Sequence, residues 1–160
     1  MPRIGVTGHV TLASGTAGLV FDRLSEQLKP YAGPRLHGVT CLADGADQIF
    51  ARAILALGGT YEVIIPALDY RRRAVEQHNR AAFDELLGHA STVSYMPFPE
   101  SGREAYMAAS EELLRRCDLL LAVWDGRPSA SLGDTADVVR AALAARIPVT
   151  VLWPSGARRG

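Results

Sequence analysis

The chain alternates short apolar runs with longer amphipathic stretches from one end to the other. Three runs are almost continuously apolar: Ile4-Gly5-Val6, Val63-Ile64-Ile65 and Leu119-Leu120-Leu121-Ala122-Val123. Runs of that kind, rather than strict apolar/polar alternation, suit strands of a parallel sheet covered on both faces. Strands are predicted over residues 3–7, 39–42, 61–65, 92–96, 119–124 and 149–153. The stretches between them carry apolar residues at helical spacing, as Val20, Leu24 and Leu28 do ahead of Pro30. They predict helices over 17–28, 46–57, 70–87, 104–116 and 135–145, with Gly58-Gly59 ending the second. The pattern gives an α/β fold, a single Rossmann-like three-layer sandwich with a mostly parallel sheet of about six strands. Residues 1–155 form this domain and 156–160 a short tail.

Ligands of open α/β sheets bind beyond the carboxyl ends of the strands, where the strand order reverses. If the first and fifth strands flank that point, the turns after them face one crevice. The pattern leaves the fourth strand's position open, with an edge as one place for it.

Both turns carry small residues that let a ligand approach the backbone, and both lead into a helix N-terminus that offers N–H groups to an anion. The first is Gly5-Val6-Thr7-Gly8-His9. It is neither a G-x-G-x-x-G dinucleotide fingerprint nor a P-loop with Gly-Lys-Ser/Thr, which disfavours dehydrogenase and ATPase readings. Gly8 either shapes a tight turn or, with Thr7, contacts a phosphate or ribose, with His9 stacking or donating a hydrogen bond. The second runs from Trp124-Asp125-Gly126 to Gly133-Asp134-Thr135-Ala136-Asp137. A Gly-x-Thr turn at a helix start either supplies backbone N–H groups and a hydroxyl to a phosphate, or its Thr135 or Asp134 merely caps the helix. Trp124 adds an aromatic wall, and Asp125 either binds ribose hydroxyls, acts as a base or caps a turn.

Leu42-Ala43-Asp44-Gly45-Ala46-Asp47 closes the second strand. Asp44 either caps the next helix or stands beside the crevice, where Gly45 keeps the backbone open and Asp47 lies on the rim. After the third strand comes Arg71-Arg72-Arg73, a solvated helix face or the source of one guanidinium over the crevice. Arg72 or Arg73 is the candidate there, because arginine's fork suits phosphate. Tyr106 is a core aromatic or a stacking partner for a base.

These residues, in this order and spacing, make the chain similar to the SLOG superfamily, which includes the LOG cytokinin-activating phosphoribohydrolases and the DNA-processing protein A family. The resemblance spans nearly the whole length and rests on Gly5–His9, Leu42–Asp47, Val63-Ile64-Ile65-Pro66 and Trp124-Asp125-Gly126 through Asp137. It implies binding of a nucleotide or nucleotide-derived ligand between the first-strand turn and the Gly-Asp-Thr loop, and a homo-oligomer. In the LOG enzymes the latter loop reads Pro-Gly-Gly-x-Gly-Thr-x-x-Glu, and its glutamate works with an arginine in cleaving an N-glycosidic bond. Here Val138 stands three residues after Thr135, and Asp137 lies about 100° away around the helix.

Composition narrows the partners. The 17 basic and 17 acidic side chains cancel, so no global charge draws in nucleic acid or an anionic membrane, and single-stranded DNA lacks the basic groove it needs. No apolar stretch approaches the ~20 residues of a membrane span, and the first strand pattern begins too early for a signal peptide; the expected location is the cytoplasm. Cys41 and Cys117 lack metal-ligand spacing and read as core thiols. No metal site is expected and no cofactor is implied, apart from Mg²⁺ as a companion of a phosphorylated ligand.

Two functions stand against each other. One is a domain that binds or senses a nucleotide-like small molecule through Thr7, Gly8, His9, Asp44, Gly45, Arg72, Trp124, Gly126, Gly133, Asp134 and Thr135. The other is a LOG-like hydrolase of a nucleoside monophosphate or related N-glycoside. There Asp125 or Asp137 polarises water or stabilises the ribosyl cation, and Arg72 holds phosphate. A third reading is an interaction module with a vestigial cleft, packing helix 135–145 in a homodimer.

Overall fold

A computed structural model of the chain describes residues 1–127 and 134–160. Six strands, β1 (Arg3–Gly8), β2 (His37–Thr40), β3 (Thr60–Ile65), β4 (Thr92–Tyr95), β5 (Leu119–Val123) and β6 (Val149–Leu152), form one sheet in the order β4-β3-β2-β1-β5-β6. Every neighbouring pair is parallel. The three-layer sandwich read from the apolar runs is therefore the fold, and β4 occupies an edge. The order reverses between β1 and β5, as a crevice shared by their turns requires.

Helices α1 (Thr16–Leu28), α2 (Ala46–Ala56), α3 (Tyr70–Arg73) and α4 (Arg80–Gly88) belong to one side of the sheet. On the other side lie α5 (Arg103–Arg116) and α6 (Thr135–Ala144). The larger core sits under the first group, around Phe50, Ile54, Tyr61 and Phe83; the smaller joins Val39, Ile64 and Leu120 to Leu113 and Val138. In β3 and β5, all residues after the first are buried, which is why these strands read as unbroken apolar runs.

The helix expected over 70–87 is not continuous. It ends at Arg73, passes through a 3₁₀ turn at Gln77–Asn79 and restarts at Arg80. The cause lies far away in sequence. Asp44 accepts hydrogen bonds from the Glu76 backbone N–H (3.1 Å) and the Asn79 side-chain amide, which holds Glu76 extended (φ −57°, ψ 140°). Val75 is drawn into the core at 3% exposure. The Arg80 guanidinium covers the Arg72 and Val75 carbonyls that the interrupted helix leaves open.

At the amino ends of the strands, the Glu62 carboxylate, buried on β3, accepts from Arg3, His37 and Arg116. This pins β1, β2 and α5 to β3 on the side away from the crevice. Burial alone would raise the Glu62 pKa, but these hydrogen bonds and the Arg3 charge together hold it below the usual value.

Gly8 ends β1 where three elements meet. A Cβ there would lie 2.5 Å from the Ala46 Cβ on α2 and 2.8 Å from the Val123 Cβ on β5. Gly18, inside α1, has nothing within 4 Å. Gly8→Ala is expected to lower stability by about 2 kcal/mol or more through overpacking. Gly18→Ala is expected to raise it by about 0.5–1 kcal/mol. Urea denaturation of both variants checks the pair; a neutral Gly8→Ala would contradict the packing.

Candidate functional site

The crevice over the β1/β5 reversal is a cleft of about 920 Å³. Thr7, Gly8 and His9 line it, together with Asp44 and Gly45 from the β2 turn and Asp134 and Thr135 from the start of α6. The two turns singled out in the sequence thus meet across one opening.

Local geometry explains the meeting. The His9 backbone N–H donates to the Val123 carbonyl (3.2 Å), and the Ala46 N–H donates to the His9 carbonyl (3.1 Å). The end of β1 is thereby tied to both β5 and α2. Gly45 makes the second tie possible at φ 77°, and a Cβ there would stand 2.5 Å from the His9 carbonyl oxygen. Asp44 does not cap α2, whose N-cap is Gly45; its carboxylate braces the segment after α3.

The two helix starts differ. At α1, residues 157–160 run back along residues 11–13: the Ala13 N–H donates to the Arg158 carbonyl, and Thr16 exchanges hydrogen bonds with the Arg158 backbone. At α6, the Asp134 carboxylate accepts from the Asp137 N–H (3.1 Å). The first intrahelical bond runs from Val138 to the Asp134 carbonyl, so the Thr135 and Ala136 N–H groups precede it. Thr135 is 6% exposed and lines the cleft, and among the described residues its hydroxyl has no hydrogen-bond partner. Gly133 lies outside the described residues.

Arg159 enters the cleft from the same returning segment. Its Nη2–H donates to Asp125 Oδ1 (2.8 Å), and its Nε lies 2.7 Å from Asp125 Oδ2 as an ion pair. The His9 Nε2 stands 3.2 Å from Arg159 Nε and from the Asp125 backbone nitrogen, and 3.4 Å from Asp125 Oδ1. Burial, then the Arg159 charge, lower the His9 pKa against the opposing pull of Asp125. The ring stands edge-on to Trp153 at 5.3 Å.

Asp125 is not among the described residues lining the cleft. Trp124 and Gly126 are also outside that lining, with the Trp124 indole N–H donating to the Arg127 carbonyl (2.9 Å). Asp137 faces a shallow groove between α5 and α6 and accepts from Arg140 (2.8 Å). Arg72 is exposed on α3 and does not line the cleft. The cleft's guanidiniums are instead Arg52, Arg103 and Arg159. Arg52 approaches Glu85 at 3.8 Å and Arg159 is held by Asp125, whereas Arg103 has no ion pair among the described residues. Arg103 opens α5, where the helix dipole disfavours a cation; that local misfit is the available sequence signal. Arg159 has none, because its partners Asp125 and His9 are distant in sequence.

Asp47, on the first turn of α2, is 7% exposed and lines the cleft. Burial pushes its carboxyl up to about 7, although the Ala43 and Cys41 backbone N–H groups pull it down. Burial likewise raises the Cys41 thiol and the Tyr70 phenol. Among the described residues no group of three or more His, Cys, Asp or Glu is placed to hold a metal ion, and no helix is long and apolar enough to cross a membrane.

No family model matches the chain, and no curated protein matches it. Solved structures do. DNA processing protein A of Streptococcus pneumoniae is 17% identical with a TM-score of 0.71, the match covering 98% of this chain and 52% of that one. DNA processing protein A of Helicobacter pylori, described with a single-stranded DNA binding mode, is 14% identical with a TM-score of 0.67, over 93% and 64%. The molybdenum cofactor binding protein of Rippkaea orientalis is 17% identical with a TM-score of 0.62, over 96% and 77%. The chain thus has the Rossmann-like fold of these proteins, the fold its sequence resemblance implies. It spans about half the length of the first and under two-thirds of the second.

The raised Asp47 pKa sets a pH dependence. Below about pH 4 this carboxyl is protonated in folded and unfolded chains alike, and its contribution to stability is fully present. As pH rises towards 7, the unfolded chain ionises it first and that contribution is lost. Asp47→Asn is expected to gain stability relative to the parent between pH 4 and 7, by up to about 4 kcal/mol. Melting temperatures of both proteins across that range check this; parallel curves would contradict it.

Proposed function

We propose that the cleft binds a nucleotide-derived small molecule through a single phosphate, and that the protein holds this ligand without cleaving it. The observation that carries the reading is the Thr135 hydroxyl: on a buried residue, without a partner among the described residues, and set in the cleft at a helix N-terminus. With the Thr135 and Ala136 N–H groups it makes a small anion cradle. Arg103 on the neighbouring helix supplies a guanidinium that no described carboxylate occupies. The likeness in fold to proteins described as binding single-stranded DNA and molybdenum cofactor supports a phosphate-bearing ligand.

Charge argues for one phosphate rather than a chain of them. The cleft carries Asp44, Asp47, Glu76 and Asp134 against Arg52, Arg103 and Arg159. A triphosphate would meet more carboxylates than guanidiniums unless Mg²⁺ came with it. The same balance speaks against a nucleic-acid strand. Binding without turnover is supported by the two carboxylates a hydrolase would use, since Asp125 and Asp137 are ion-paired outside the cleft lining.

Titration calorimetry with nucleoside monophosphates, followed by chromatography of the recovered ligand, tests this. Thr135→Ala and Arg103→Ala are each expected to weaken binding about tenfold, with Arg72→Ala unchanged and the ligand recovered intact. Unchanged affinity in both cleft variants would overturn the site, and release of free base would overturn binding without turnover.

A further inference from the structure

The cleft has a recess that the phosphate site does not use. It is formed by Asp47 and Gln48 on α2, Cys41 after β2 and Tyr70 at the start of α3. Asp47, Gln48 and Tyr70 are at least nine-tenths buried. The Gln48 amide nitrogen faces the Leu42 carbonyl and the Asp44 carboxylate at 3.5 Å, which leaves its oxygen as an acceptor without a partner among the described residues. The Tyr70 hydroxyl also has no partner among them. No side-chain polar atom sealed from solvent lacks a partner in the described residues, so these two atoms keep solvent contact on residues that line the cleft. The Asp47 carboxyl accepts from the Ala43 N–H at 3.2 Å, and an ionised carboxylate has about four lone-pair sites.

We propose that this recess is a base-selecting subsite that takes an edge with adjacent N–H donors, a ring N–H beside an amino group as in guanine. This rests on the nucleotide reading above and adds to it which base is chosen. Two neighbouring N–H groups match the two oxygens of the Asp47 carboxyl in its ionised form, which hydrogen bonds from such an edge favour, with Gln48 Oε1 as a further acceptor. Adenine sets an acceptor nitrogen beside its amino group, and that lone pair would face the carboxylate. The placement also fits: α2 follows β2 and α6 follows β5, the strands on either side of β1. Those two strands lie two spacings apart, on the order of 10 Å, the scale of a nucleoside monophosphate from phosphate to base. Tyr106, lining the cleft 6.3 Å from the Tyr70 ring, offers a face to the heterocycle.

The test is calorimetric titration of GMP, AMP and ribose 5-phosphate into the parent chain, Asp47→Asn and Tyr70→Phe, with melting curves to confirm folding. The parent is expected to prefer GMP over AMP by roughly tenfold or more, the range a bidentate base contact supports. Asp47→Asn is expected to abolish that preference and leave ribose 5-phosphate binding unchanged. Tyr70→Phe, which removes a single oxygen, reports on the recess if Asp47→Asn fails to fold, and is expected to reduce the preference. Equal affinity for GMP and AMP, with ribose 5-phosphate bound, would overturn base selection and leave the phosphate site standing. No binding of any of the three would overturn both.

Discussion

The site depends on the missing side chain at residue 8. β1 ends between β5 and α2 with no room for a Cβ, and that closeness lets the His9 backbone bond to Val123 on one side and Ala46 on the other. Any larger residue would part the strand from the helix at the point where the strand order reverses. The cleft is the space left above this junction, and its walls are the first turns of helices that follow β2 and β5.

The polar groups around the junction divide into those that brace and those that remain open. Asp44 holds the segment after α3, Asp134 caps α6, and Asp125 fixes Arg159 against His9. Thr135, Arg103, Gln48 and Tyr70 are left facing the cleft with hydrogen-bonding capacity that the described residues do not take up. Asp47 is costly where it stands, since burial disfavours its charge. Desolvated groups of this kind collect at functional sites.

Much of the fold is legible in the sequence because both faces of the sheet are covered, so the strands appear as apolar runs and the helices between them as periodic stretches. The break after Arg73 is not legible, because Asp44 imposes it from the far side of α2 and β3. The turns at Thr7–His9 and Asp134-Thr135 are legible as small residues after apolar strands. Arg159 is not, because a segment after the last strand shows no local sign of returning to β1. Arg72 has the chemistry of a phosphate ligand, but the fold turns it to solvent; Arg103 carries the better sign in its position at a helix start.

Whether a ligand sits across the β1/β5 junction is read most directly from backbone amide chemical shifts of isotopically labelled protein, recorded during titration with a nucleoside monophosphate. Perturbations are expected to concentrate at Thr7–His9, at Thr135-Ala136 and at Arg103. Shifts confined to the α5–α6 groove around Met107 and Arg140, or none at saturating ligand, would contradict binding at the junction.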